Sequence, residues 1–194
     1  VHPTHVPGTR PYPWPYDGIL DPARLALVVA GGQAWFAACT VDSDEVLSNL
    51  RKAAKVVRDA GGIVVVLHHS CLGGPGPREG ERGGDLAVTI AAGDVVVDCV
   101  GMSGFSGSAL DVELRRRGID RLCIGGLGLE SAVYSTLGAA NDRGYECLAL
   151  TDAVAFHDPD VGARALASIT MSGGIFGALG TSTDLCDALL EEQP

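Results

Sequence analysis

Residues 120–144 read DRLCIGGLGLESAVYSTLGAANDRG, and the fold follows from how this stretch is parsed. Leu122–Gly125 is a short apolar run of strand character, Gly126 and Gly128 punctuate a turn, and the residues from about Leu129 to Asn141 read as a helix. A strand that passes through a glycine turn into a helix belongs at the carboxyl end of an open parallel sheet, where ligands and catalytic groups collect. Such a turn presents either a nucleophile on the first helical turn or backbone N–H groups for an anion. Here the presenting position is Ala132, a methyl group without chemistry.

Working outward, the chain alternates. Leu25–Ala30 (LALVVA) is a continuous apolar run of strand length, as expected of a strand covered on both faces. A helix is predicted over about 44–60, with Val46, Leu47, Leu50, Ala53, Ala54 and Val57 at helical spacing. Ser43 is read as its N-cap, and Gly61–Gly62 as its stop. Further strands are expected at 63–68, 94–98 and 145–151, with an edge strand in GIFGALG. Helices are expected at 108–117, about 160–172 and near 184–191. Strands alternating with helices predict an α/β three-layer sandwich, Rossmann-like, with a mostly parallel sheet of five to six strands. Residues 1–20 read as an extended arm with five prolines among its first sixteen residues, interleaved with Tyr12, Trp14 and Tyr16, and residues 21–194 as a single domain. Those aromatics predict packing on the parent domain or on a neighbouring subunit. Residues 71–84 carry six glycines and two prolines and read as a mobile loop.

A net charge of −10 argues against nucleic acid, whose binding is driven by phosphate neutralisation. The one basic cluster, Arg115–Arg117, ends a predicted helix, where cations favour the dipole. No apolar run approaches the ~20 residues that cross a bilayer, so no membrane partner is expected. The N-terminal segment has no charged-then-apolar leader pattern, which predicts a cytoplasmic protein. The six cysteines are scattered without a CxxC pair, and Cys123 and Cys147 fall within apolar strand patterns.

Each candidate for chemistry has a plainer reading beside it. Gly126, Gly128 and Ser131, with Asp152 some twenty residues on, approach a dinucleotide fingerprint, but the third glycine is missing. No cofactor is expected. His68 and His69 end one strand and Asp98 and Cys99 the next. Adjacent strand residues point to opposite faces, so local hydrogen bonding is a plainer account than metal ligation. Ser131 and Ser135 flank the turn without an evident base, and Lys52 and Lys55 sit mid-helix, so no triad is visible.

Taken together, PYPWPYDGILDPARLALVV (11–29), DVVVDCVGMSGFSGSALDVELRRRGIDRLCIGG (94–126), LESAVYSTLGAANDRGYECLALTDAVA (129–155) and GIFGALGTSTDLCDAL resemble the isochorismatase-like hydrolases. The likeness is to the cysteine amidohydrolase branch similar to biuret hydrolase, ureidoacrylate amidohydrolase and N-carbamoylsarcosine amidohydrolase. It implies an isochorismatase-type fold and an Asp–Lys–Cys triad that hydrolyses amide-type C–N bonds. The aspartate of the Val-Ile-Asp-x-Gln motif falls on Gly31, with the glutamine kept as Gln33. The lysine falls on Cys99, or on Asp98 one residue away, and the cysteine falls on Ala132. The backbone cradle of the family, often beside a non-proline cis peptide, falls near Leu127–Gly128. Gln33, Phe36, His68, Asp98, Phe105, Gly128 and Ser131 are the remaining pocket candidates.

Three readings follow. One is a family member silent in thiol hydrolysis, serving as a structural or regulatory subunit in a homo- or hetero-oligomer, beside a catalytically active paralogue. Another is a small-molecule-binding module, with room left by Gly31, Gly32 and Ala132. The third is a hydrolase with a rewired site drawing on Cys99, Asp98, Ser131 or His68.

Overall fold

Valine- and leucine-rich runs become strands because a sheet clad on both faces can bury β-branched side chains on either side. In the computed structural model, which describes residues 5–71, 76 and 84–191, six such strands form. They are β1 (Leu25–Ala30), β2 (Ile63–Ser70), β3 (Val95–Val100), β4 (Arg121–Leu127), β5 (Glu146–Ala155) and β6 (Ala178–Gly180). The helices are α1 (Ala34–Cys39), α2 (Ser43–Asp59), α3 (Leu110–Arg115), α4 (Tyr134–Asn141), α5 (Pro159–Ile169), α6 (Met171–Gly174) and α7 (Ser182–Leu190). A π-helical turn, Leu129–Val133, joins β4 to α4.

The sheet is wholly parallel in the order β3-β2-β1-β4-β5-β6. Val28 of the central strand pairs with Val65 on one side and Ile124 on the other, and every residue of β1 and β4 is buried. Right-handed crossovers running outward from β1 in opposite directions send the helices of the two halves to opposite faces. Helices α2 and α7 pack on each other, and α2 touches β1, β2, β4 and β5. The order reverses between β1 and β4, the place where a parallel sheet of this kind ordinarily opens a crevice at the carboxyl ends of its strands. No helix among the described residues is long and apolar enough to cross a membrane.

Three local expectations are corrected. The N-cap of α2 is Asp42, in the left-handed region at φ 56°, and Ser43 is already helical. The 110–115 helix is shorter than the 108–117 expected, although Glu113 still pairs with Arg116 and Arg117. Helix α1 has no counterpart in the periodicity, because six residues are too few to show one. Most of the glycine-rich stretch read as a mobile loop lies outside the described residues.

The arm packs on its own chain. Trp14 and Val6 are fully buried, and Val6 N–H donates to Trp14 O at 2.7 Å. Arg10 exchanges two backbone hydrogen bonds, 3.0 and 2.8 Å, with Leu179 of β6, capping an otherwise open sheet edge. Arg121, almost wholly buried, draws Asp17 of the arm, Asp120 and Glu146 into one ionic cluster.

Candidate active site

The crevice between β1 and β4 is closed by backbone. Gly126 has φ 145° and lies so close to β1 that a Cβ there would meet Ala30 O at 1.8 Å. Gly31, the first residue beyond β1, sits at φ 66°, and a Cβ would lie 2.2 Å from Leu127 O and 3.1 Å from Phe36 Cγ. A Cβ on Gly32 would touch Val88 and Val29 side chains at 3.1–3.3 Å. The room expected beside these glycines is therefore filled. Among the described residues the cis peptides are Arg10–Pro11 and Trp14–Pro15, so the Leu127–Gly128 bond is trans.

Phe36 is the hub. It is fully buried, with its ring 5.6 Å from that of His69 and 6.4 Å from that of His157. Gln33, also fully buried, clamps the floor: its amide donates to His69 O at 2.9 Å and Gly84 O at 3.1 Å, and its Oε1 accepts His69 N–H at 2.8 Å. All of its strong hydrogen-bonding capacity is directed at backbone, which holds the end of β2 against the end of β1.

The two strand-end histidines separate as adjacent strand residues must. His68 faces outward, its Nδ1 2.8 Å from Asp98 Oδ1 and its Nε2 2.9 Å from Gly84 O; the Asp98 side chain is largely exposed. His69 faces inward beside Cys99, with Nδ1 3.0 Å from Gly101 O and 3.3 Å from Cys99 Sγ. A carbonyl only accepts, so Nδ1 carries the proton and donates to Gly101, leaving Nε2 bare, buried and without a hydrogen-bond partner among the described residues. His69 Nδ1 is then no base for the thiol. Burial, helped by Asp98 and Cys71, pushes the Cys99 thiol up to about 12. Burial holds His69 below the usual histidine range against the opposing hydrogen bond to Gly101. Thiolate and imidazolium are both disfavoured, the opposite of an activated cysteine.

This pair sets a pH dependence. The folded His69 takes a proton less readily than the unfolded chain, whose histidine titrates near 6.5, so stability is complete above that value and falls as pH drops below it. The slope contributed is bounded by the one-proton value of about 1.4 kcal/mol per pH unit. Denaturant unfolding between about pH 7.5 and about pH 5.5 should show the wild type losing stability that His69→Gln retains. Equal slopes would remove His69 as the source.

In the π-helical turn after β4, Ala132 is fully buried and its carbonyl accepts from Thr136 Oγ1 at 2.7 Å. Its neighbour Ser131 is half-buried, and its Oγ lies 2.9 Å from His157 Nε2 and 3.2 Å from Gly128 O. His157 Nδ1 lies 3.1 Å from Cys39 O, the last residue of α1. Glu130 accepts the backbone N–H groups of His157 (3.1 Å) and Asp158 (2.8 Å), tying the turn to the end of β5. Sequence reasoning found no base for Ser131 because His157 is twenty-six residues away. The signal available was a histidine just beyond an apolar strand, in AFHDPD.

Phe105 lies apart from this group. Its ring packs on Tyr145, the residue before β5, with the Arg143 guanidinium 4.8 Å from its centroid. Asp152 is occupied as a cap, accepting Ser182 N–H at 2.6 Å and Ser182 Oγ–H at 2.9 Å at the start of α7. Gly31, Phe36, His69 with Cys99, and His157 with Ser131 are thus linked through Phe36, whereas His68 and Asp98 form a second, outward-facing pair.

The chain matches the isochorismatase domain model over residues 25–184. Among solved structures it is similar to a cysteine hydrolase from Pseudomonas syringae pv. phaseolicola (TM-score 0.79, 22% identity, covering 89% of this chain and 95% of that one). It is similar to an isochorismatase family protein from Burkholderia thailandensis (0.75, 25%, covering 87% and 96%). It is also similar to N-carbamoylsarcosine amidase from Thermoplasma acidophilum (0.69, 26%, covering 82% and 96%).

Proposed function

The chain belongs to the isochorismatase family, and from that premise we propose that this member has left thiol-dependent amide hydrolysis. In this reading the aspartate, lysine and cysteine positions of the family are Gly31, Cys99 and Ala132. The observation that carries it is Gly31: a left-handed residue whose Cβ would lie 2.2 Å from a carbonyl oxygen has no place for a carboxylate arm. The protonated Cys99 and the methyl of Ala132 agree with it. The chain then serves as a structural or regulatory subunit of a cytoplasmic oligomer, of its own copies or beside an active paralogue. The arm lends that assembly no support, since its tryptophan is spent on its own domain.

Iodoacetamide tests the thiol route. Any turnover of small amides or ureas by the purified protein is expected to survive alkylation of the exposed Cys39 unchanged. An amidase abolished by alkylation at Cys99 would overturn the reading. Native mass spectrometry of protein from its own source tests the assembly: a mixed complex with an intact-triad paralogue supports the subunit role, and a lone monomer sinks it.

A second reading is favoured by one observation, the hydrogen-bonded Ser131–His157 pair at the nucleophile turn. There the chain is a hydrolase with a rewired site. The two readings part on whether this chain turns over a substrate of its own.

A further inference from the structure

We propose that Ser131 is a nucleophile activated by His157, and that the pair hydrolyses carboxylic esters with apolar acyl groups through an acyl-serine. This rests on the rewired-site reading and names its residues and substrate class.

The tautomer is set by geometry. Cys39 O accepts only, so His157 Nδ1 holds the proton and Nε2 presents a lone pair; the one Ser131 hydroxyl proton has two acceptors within reach, His157 Nε2 at 2.9 Å and Gly128 O at 3.2 Å, and the base is the nearer. Nucleophile, base and an orienting third group are thus in hydrogen-bond order, the arrangement that activates a serine. Both side chains reach the surface. The Trp35 ring, partly exposed, lies 6.4 Å from the His157 ring and gives the base an aromatic wall against which an apolar acyl chain packs, while the fully buried Phe36 backs the same imidazole from inside.

Ser131 Oγ attacks the acyl carbon while its proton passes to His157 Nε2. The tetrahedral adduct collapses, the bond to the alcohol oxygen breaks, and His157 returns the proton to the departing alkoxide. Water then attacks the acyl-serine, giving a proton to His157. The acyl–Oγ bond breaks, and that proton restores the serine. Ester and water become acid and alcohol. The class is esters rather than amides because the group behind His157 is a neutral carbonyl. That carbonyl fixes the tautomer but, unlike a carboxylate, adds no negative charge to stabilise the imidazolium that forms, a loss that amides, with their poor leaving groups, tolerate least.

The test is a fluorophosphonate probe, in which serine oxygen displaces fluoride from phosphorus, with peptide mass spectrometry to locate the adduct. The full chain is expected to be labelled at Ser131, with no adduct at that position in Ser131→Ala. His157→Gln should slow labelling by ~10² or more, and Ser135→Ala should leave it unchanged. Circular dichroism confirms that each variant is folded. Absence of an adduct at Ser131, or labelling indifferent to His157→Gln, overturns the proposal. Ester turnover without that adduct, lost in Cys99→Ala, would leave the rewired reading standing with another nucleophile. No turnover across an ester panel and no adduct would end both.

Discussion

Gly31→Ala is expected to destabilise the protein by about 3–5 kcal/mol, a large share of a domain's usual margin. Two costs add. A residue with a Cβ held in the left-handed region costs about 1–3 kcal/mol, and a Cβ 2.2 Å from Leu127 O forces the β1 and β4 ends apart, an overpacking cost of about 1–3 kcal/mol. Neither neighbour yields easily, because Leu127 O is backbone on a buried strand and Phe36 is fully buried. Gly32→Ala is the control: its contacts are the valine side chains of Val88 and Val29 at 3.1–3.3 Å, without a positive φ, and its cost should stay below about 2 kcal/mol. Urea denaturation of both variants checks the difference. Wild-type stability in Gly31→Ala would mean that the strand ends are not closed as described. The same geometry governs restoration of a triad by Gly31→Asp, Cys99→Lys and Ala132→Cys. The aspartate enters where not even a methyl fits, so the triple variant is expected to unfold rather than gain thiol-dependent amidase activity.

Trp14→Ala is expected to cost about 3–5 kcal/mol, the range for truncating a buried aromatic. Trp14 is wholly buried and is the largest apolar anchor of the arm, whose other ties include the Arg10–Leu179 bonds, the Tyr16 N–H bond to Glu146 and the salt bridge from Asp17 to Arg121. Losing it frees the β6 edge, so limited proteolysis should cut the variant within its first twenty residues while the wild type resists. Trp14→Phe keeps most of the apolar area and removes an indole N–H that is buried without a hydrogen-bond partner among the described residues, so it should cost less. Sedimentation separates this account from a swapped arm. A variant that changes subunit number at unaltered stability would place the arm on a neighbour instead.

The order of elements was legible because it rests on local patterning. LALVVA, IVVVLHHS and the DRLCIGGLGLESAV turn carry their strand and turn character in composition, and alternation with helices leaves few topologies. The resemblance to the isochorismatase-like family was also readable from the chain alone. The site was not. Gln33 reads as a polar residue near a strand end and proves to be a backbone clamp between β1 and β2. Gly31 reads as a missing aspartate; only the approach of Leu127 O shows that nothing larger than glycine fits. Phe105 reads as part of the same turn as Cys99 yet packs on Tyr145 instead, because the chain after β3 folds toward α4. Ser131 has no base within its own segment, and His157 reaches it only because neighbouring parallel strands end side by side. Periodicity and composition record which face of an element is buried. Which side chains meet at the strand ends depends on register and crossover, which no local stretch of sequence contains.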